Sequence, residues 1–255
     1  IEYKNDLKDL IEFLEKSGIN HVSQIGLPNI ERYIATLEQR GFASTTGKRS
    51  VVSIRSFLLF LYQDVYIATN IAKNLILPFA ETSTPHILTS SECRRLRKAC
   101  SDNPRDKAII ELLLNTGIKL SELVRLTPDD LYLEWNSAKE KAFIRVRGNR
   151  NKKERLITLD LQTYFALRGY RAIREGDETS SFFLNRFHKP LGERGVQKIV
   201  SKYLKRAMVR GASVHSLRHT FGVQNIKNGV DPKAVRTMMG IKDSRSGHFY
   251  TTLAM

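Results

Sequence analysis

Cysteine is scarce in this 255-residue chain: Cys93 and Cys100 are the only two, seven positions apart. Their spacing matches no metal-ligand pattern, and a reducing cytosol is the expected compartment. No apolar run approaches the roughly 20 residues that cross a bilayer. The amino terminus, Ile1-Glu2-Tyr3-Lys4, has neither the charged n-region nor the apolar h-region of a secretory signal. It also lacks Met, as expected of a chain that begins inside a longer one. Internal repeats, low-complexity tracts and acidic clusters suited to a hard cation are missing as well. These absences leave a globular protein, expected in the cytoplasm, with no membrane partner and no cofactor. Hydrophobic residues at 41% and charged residues at 27% suit such a protein, and the length allows one or two domains with a sizeable core.

What is present in excess is positive charge, +16 net, and it is unevenly placed. Residues 1–85 hold nine Lys/Arg and nine Asp/Glu, so the whole excess falls on residues 86–255. A one-sided basic surface fits a polyanion, because each phosphate it neutralises releases condensed counterions. Nucleic acid suits this better than an anionic membrane surface.

Apolar periodicity divides the chain. Tyr3, Leu7, Leu10, Ile11 and Leu14 recur at helical spacing, and Gly18-Ile19-Asn20 closes that segment. Pro28-Asn29 opens a second helix ended by Gly41, and Ser44-Thr45-Thr46 offers the N-cap of a third. A fourth, short helix is expected over Asn70 to Leu75. Linker chemistry then runs from Pro78 to Pro85, where the charge balance also changes. The expected domains are residues 1–80, a linker at 81–86, and residues 87–255. In the second, Thr89-Ser90-Ser91-Glu92 reads as a capping box, Asp106 to Asn115 as an apolar helix stopped by Gly117, and Ser121-Glu122-Leu123 as the start of another. Phe143 to Arg147 and Arg155 to Leu159 read as two strands around a polar turn. Helices follow from Leu161, interrupted near Gly176 to Ser181.

Five stretches carry residues suited to phosphate chemistry. They are Thr116-Gly117-Ile118-Lys119-Leu120-Ser121-Glu122-Leu123, the basic turn Gly148 to Arg155, His215-Ser216-Leu217-Arg218-His219-Thr220-Phe221, Met239-Gly240-Ile241, and Phe249-Tyr250-Thr251. Their order resembles the tyrosine recombinase (phage integrase) family, whose pattern runs T-G-L-R-x-S-E-L, a hairpin lysine, H-x-L-R-H-T, L-G-H and a tyrosine nine residues later. The resemblance covers nearly the whole chain. It implies an α-helical, SAM-like core-binding domain followed by a mixed, mainly α catalytic domain with a small antiparallel sheet. It also implies duplex DNA held between the two domains, and four protomers exchanging strands through a Holliday junction. The setting would be the nucleoid of a bacterium or archaeon.

The residues suit that chemistry. Cleaving a phosphodiester with a tyrosine needs an in-line oxygen, cations around the non-bridging oxygens and an acid for the leaving 5′ oxygen. Tyr250 would be the nucleophile, forming a 3′-phosphotyrosine. Arg218 is a planar fork suited to two phosphate oxygens. His215 either donates to the same phosphate or accepts the tyrosine proton, and His219 reads as a helix-packing histidine. Glu122 either orients a catalytic cation or only caps its helix. In the turn, counting back from Glu154 puts Arg150 in the family's lysine column, whereas acid chemistry favours Lys152. Arg145, Arg147, Arg150, Lys153, Lys48, Arg49 and Arg55 are candidate DNA contacts.

Two positions depart from the family pattern. Lys119 stands where the first arginine belongs, keeping the charge but losing the fork. A lost bidentate contact costs on the order of 2–4 kcal/mol, or roughly 10²–10³ in rate. Lys119 is either a natural variant or an introduced substitution that slows cleavage. Ile241 stands where His or Trp is usual and cannot donate a hydrogen bond, leaving His248 as a substitute to consider. The chain also stops five residues after Tyr250, whereas the family usually continues into a segment that docks on a neighbouring protomer. The rival readings are a catalytically impaired DNA-binding relative, a type IB topoisomerase or telomere resolvase using similar chemistry, and a basic structural protein with a chance motif.

Overall fold

A computed structural model of the chain describes residues 2–40, 44–75, 84–134, 142–148, 154–176, 181–241 and 244–254. The chain forms two compact units, Ile1–Thr84 and Pro85–Met255. Among the described residues no helix is long and apolar enough to cross a membrane.

The first unit packs α1 (Glu2–Lys16), α2 (Leu27–Gln39) and α3 (Ser44–Gln63) around Leu10, Leu14, Ile30, Tyr33, Ile54 and Leu58. Gly18, at φ +77°, lets the chain leave α1 while Ile19 N–H returns to the Leu14 carbonyl at 3.0 Å. Buried Asp6 ties α1 to α3, accepting from the Ser50 and Ser53 hydroxyls and from Arg49. The expected helix over Asn70 to Leu75 is instead a single 3₁₀ turn, Ile71–Lys73. Less than two turns gain too little to offset helix nucleation, and the tighter turn already seats Ile71, Ala72 and Leu75 in the core. The expected helix end at Gly41, the side chains of Ser44, Thr45, Thr46 and Lys48, and most of the linker lie outside the described residues.

The second unit is built on α5 (Pro104–Thr116), whose Ala108 to Leu114 run is buried all round. Asn103 caps it through its side chain, and Gly117, at φ +57°, ends it. Before it, α4 (Ser90–Ala99) opens on the expected capping box: Thr89 Oγ1 accepts from Glu92 N–H, and Glu92 accepts from Thr89 N–H at 2.8 Å. One short turn, α6 (Leu120–Leu123), follows, capped at Lys119. A three-stranded antiparallel sheet comes next, in the order β1 (Leu131–Tyr132), β2 (Phe143–Val146), β3 (Arg155–Thr158), with Ile144 opposite Ile157. Alternation sends Ile144, Val146 and Ile157 to the core. Five helices complete the unit: α7 (Leu161–Ile173), α8 (Glu193–Arg206), α9 (Val214–Lys227), α10 (Pro232–Met239) and α11 (Ser244–Ala254). The described chain between α7 and α8 has no helix, and holds one isolated bridge, Leu184 to Pro190. The last three helices share a small core of Phe221, Val223, Val235, Met239 and Tyr250.

Candidate active site

Arg218 lies half-buried in α9. Its Nη2 donates to the Met239 carbonyl at 2.7 Å and its Nη1 to the Gly117 carbonyl. Both acceptors precede or occupy a helix end closed by a left-handed glycine, Gly117 in one case and Gly240 in the other. The two C-terminal carbonyl ends thus aim at one guanidinium, a favourable place for a cation. Burial lowers the Arg218 pKa, while Tyr250 and Glu122 oppose that shift. Two of its five N–H groups hold it to the backbone, and the guanidinium also faces the Tyr250 hydroxyl.

Tyr250 reaches the same place from α11. It is 5% exposed, and its hydroxyl lies 3.0 Å from His219 Nδ1. Burial raises its pKa, and the Arg218 guanidinium offsets this only in part, so the phenol stays protonated at neutral pH. Gly222 makes the approach possible, because a Cβ there would stand 2.7 Å from Tyr250 Cδ1. The ring therefore lies directly on the α9 backbone, and its hydroxyl reaches back one turn to His219. Burial holds the His219 pKa below its usual value, with His215 and Arg218 adding to the effect. Its ring also packs edge to face with Phe249, the centroids 5.7 Å apart. His219 was read from the sequence as a packing residue; it packs, and it also touches the phenol. Helical spacing places it on the face shared by His215, but nothing local reveals a partner 31 positions away.

His215 is exposed in the first turn of α9, and Lys119 is half-buried at the cap of α6. Glu122 caps its helix and also pairs with an arginine. Its Oε2 accepts from Lys119 N–H at 3.0 Å, and the carboxylate holds Arg155 at 3.0 and 2.7 Å. Arg155, read as the end of the basic turn and the start of a strand, is given no role of its own by the sequence. It fastens β3 to the site, since its Nε also donates to the Met238 carbonyl at 2.8 Å. Ile241 packs with the apolar cluster that contains Tyr250.

The candidate DNA contacts fall in several places. Arg145 and Arg147 both bond to buried Asp130, at 3.1 and 2.7 Å, and Arg147 also reaches Thr127. Arg49 bonds to Asp6, and Arg55 is exposed on α3. Arg150, Lys152, Lys153 and the side chains of Lys48 and His248 lie outside the described residues. A basic face that sequence reading passed over runs along α8: Arg194, Lys198 and Lys205 are exposed opposite Val196, Val200 and Leu204. Their spacing on an amphipathic helix was the available signal.

The phage integrase family model matches residues 86–255, and the phage integrase N-terminal SAM-like domain model matches residues 1–64. The chain is 31% identical to tyrosine recombinase XerC of Thermodesulfovibrio yellowstonii over 265 residues, covering 98% of this chain and 83% of that protein. It is 30% identical to tyrosine recombinase XerD of Staphylococcus epidermidis over 260 residues, covering 98% and 85%. In fold it is similar to XerH site-specific recombinase bound to its palindromic difH substrate in a post-cleavage complex, with a TM-score of 0.82, 18% identity, and coverage of 99% and 76%. The chain belongs to the phage integrase family, the tyrosine recombinases, which carry out site-specific DNA recombination through a phosphotyrosine intermediate.

Proposed function

We propose that this chain cuts and rejoins duplex DNA at a specific site through a 3′-phosphotyrosine on Tyr250, passing through a Holliday junction assembled by four protomers. The observation that carries the residue assignment is the convergence of the Tyr250 hydroxyl and the Arg218 guanidinium in one buried corner. Phosphoryl transfer is mainly positioning and charge stabilisation, and this corner offers a nucleophile beside a fixed cation.

Arg218 and Lys119 hold the non-bridging oxygens, and His215, open to solvent at the start of α9, donates to the same phosphate. Lys152 protonates the leaving 5′ oxygen. Phosphate contacts outside the scissile group come from the basic second unit, including the α8 face, with Arg55 in the first unit. Arg145 and Arg147 keep N–H groups for phosphate while Asp130 fixes their direction. The 1–80 segment serves as the core-binding domain and residues 87–255 as the catalytic domain. The protein works on nucleoid DNA in the cytoplasm of a bacterium or archaeon, in integration, excision or dimer resolution. Lys119 slows the cleavage step relative to an arginine.

The test uses a nicked suicide duplex carrying the cognate site, selected from a random pool by binding to the full chain. Tyr250→Phe should bind it with near-unchanged affinity and form no covalent adduct. An adduct at wild-type level with the Phe variant would sink the assignment. The departures at Lys119 and Ile241 favour a second reading, an impaired DNA-binding relative; binding with no adduct even after Lys119→Arg would support that one. Relaxation of a supercoiled plasmid lacking any site would indicate a topoisomerase instead.

A further inference from the structure

We propose that His219 is a catalytic residue of this chain, taking the Tyr250 proton as the nucleophile attacks and returning it when the strand is rejoined. The inference rests on Tyr250 being the nucleophile.

Two described histidines of α9 could accept the phenolic proton; His215 lies exposed one helical turn before His219, and the Tyr250 hydroxyl bonds to His219. Arg218 faces the hydroxyl but has only donors, so it cannot accept a proton. Ile241, packed in the apolar cluster, has no lone pair to offer. His219 Nδ1 lies 3.0 Å from the oxygen, within the range for direct transfer. The imidazole is held there by the α9 backbone, by the Phe249 ring and by the Tyr250 ring itself, with centroids 5.7 and 5.6 Å away. A second observation concerns protonation. The charged or titratable groups acting on His219 are His215 and Arg218 on its own helix and Tyr250 on α11; burial and the first two favour the neutral ring. A neutral imidazole with its proton on Nε2 presents the Nδ1 lone pair to the phenol.

As the Tyr250 oxygen forms its bond to phosphorus, the phenolic O–H bond breaks and the proton passes to Nδ1, leaving His219 as imidazolium. The bond from phosphorus to the 5′ oxygen breaks, and that oxygen takes a proton from Lys152. In rejoining, the 5′ hydroxyl attacks phosphorus and gives its proton back to Lys152. The tyrosine oxygen leaves with the proton held on His219. Before attack the phenol keeps its proton, because burial raises its pKa while lowering that of the imidazole. Transfer becomes favourable only as the forming phosphorus bond withdraws electrons from the oxygen.

The experiment measures single-turnover cleavage by the full chain of two nicked suicide duplexes, one with the natural 5′-oxygen leaving group and one with a bridging 5′-sulfur, which needs no acid. His219→Gln, with His219→Asn as a second variant, should cleave about 10²-fold slower while binding DNA within about threefold of the parent. The parent rate should rise with pH through the slightly acidic range and level off as His219 loses its proton; that rise should disappear in both variants. The sulfur substrate should leave them slow, since the missing group serves the nucleophile, whereas a Lys152→Ala variant should recover. Thermal unfolding of each variant, read beside these rates, separates loss of fold from loss of the proton acceptor. Near-parental cleavage by a folded variant, full rescue by sulfur, or a retained pH rise would overturn the proposal. Tyr250→Phe runs in the same series: an adduct there overturns the nucleophile assignment itself, while its absence beside a normal His219 variant overturns only the role of His219.

Discussion

Glu122 grips Arg155 through two parallel contacts, Oε1 to Nη1 at 3.0 Å and Oε2 to Nη2 at 2.7 Å. Both side chains are largely buried, at 8% and 14% exposed, and the pair joins α6 to β3 beneath the site. Arg155 then continues to the Met238 carbonyl, so one guanidinium links the sheet and α6 to the end of α10, one of the two helix ends that hold Arg218. Removing one partner of such a pair strands the other charge away from water. Glu122→Ala should therefore destabilise the second unit by about 3–5 kcal/mol, measured by urea unfolding. Burial alone would raise the Glu122 pKa, but hydrogen bonds from Arg155 and the Lys119 N–H outweigh it and hold the pKa low. A carboxylate held below its unfolded pKa contributes stability above that value and loses it as pH falls through the folded one. Stability of the parent should thus drop more steeply than that of Glu122→Gln below about pH 4.5. Parallel curves for the two would contradict the linkage.

A second expectation concerns Gly222, where a Cβ would stand 2.7 Å from the Tyr250 ring and 3.1 Å from Met239 Sδ. Alanine normally improves a helix interior by up to about 1 kcal/mol over glycine. Here it must push the Tyr250 ring off α9, and a displacement near 1 Å at a reacting group can cost about 10²-fold in rate. Gly222→Ala should lower the rate of adduct formation by at least tenfold with DNA affinity unchanged. A parental rate would show that the ring sits elsewhere during attack.

These two positions also show what the sequence could and could not disclose. The cap Thr89 to Glu92 and the stop at Gly117 were legible because their signals are local: side chains bonding to backbone within three residues, and a left-handed φ that favours glycine. The strands over Phe143 and Arg155 were legible from alternation. β1 was not, since two residues carry no period, and Leu131 joins the sheet only because β2 offers it a partner. The helix expected at Asn70 failed for a related reason, since its apolar spacing fits a 3₁₀ turn equally well over so short a span. The site divides along the same line. Motif order singled out Tyr250, Arg218 and Glu122, but the pairing of Glu122 with Arg155 and of His219 with Tyr250 depends on tertiary approach over 33 and 31 residues.

The α8 face supplies a test of the charge asymmetry. Arg194, Lys198 and Lys205 project from one side of a helix whose other side is core. If each neutralises one backbone phosphate, the triple alanine variant should flatten the log–log dependence of DNA affinity on salt by about 0.9 per contact. Titrations of parent and variant at matched salt series decide it, and identical slopes would place the phosphate contacts on other residues.

The last expectation concerns Lys119, which caps α6 two residues after Gly117, whose carbonyl holds Arg218. Its backbone is fixed by Glu122, so position 119 is set by the same carboxylate that orients Arg155. An ammonium is a compact point charge that attracts a phosphate without fixing two of its oxygens, whereas a guanidinium can hold both. Net charge is the same with either residue, so ground-state DNA affinity should move by less than about threefold in Lys119→Arg. The cleavage transition state gathers charge on the non-bridging oxygens and should respond more. Single-turnover cleavage of a nicked substrate should therefore quicken by roughly tenfold or more in the arginine variant. Half-burial of the side chain sharpens the contrast, because a directed contact is worth more where water competes less. Covalent complex followed against time, beside a binding titration at the same salt, separates the two effects. If arginine leaves cleavage unchanged or slows it, lysine is the working residue at this position, and the surrounding site has adapted to a point charge in place of a fork.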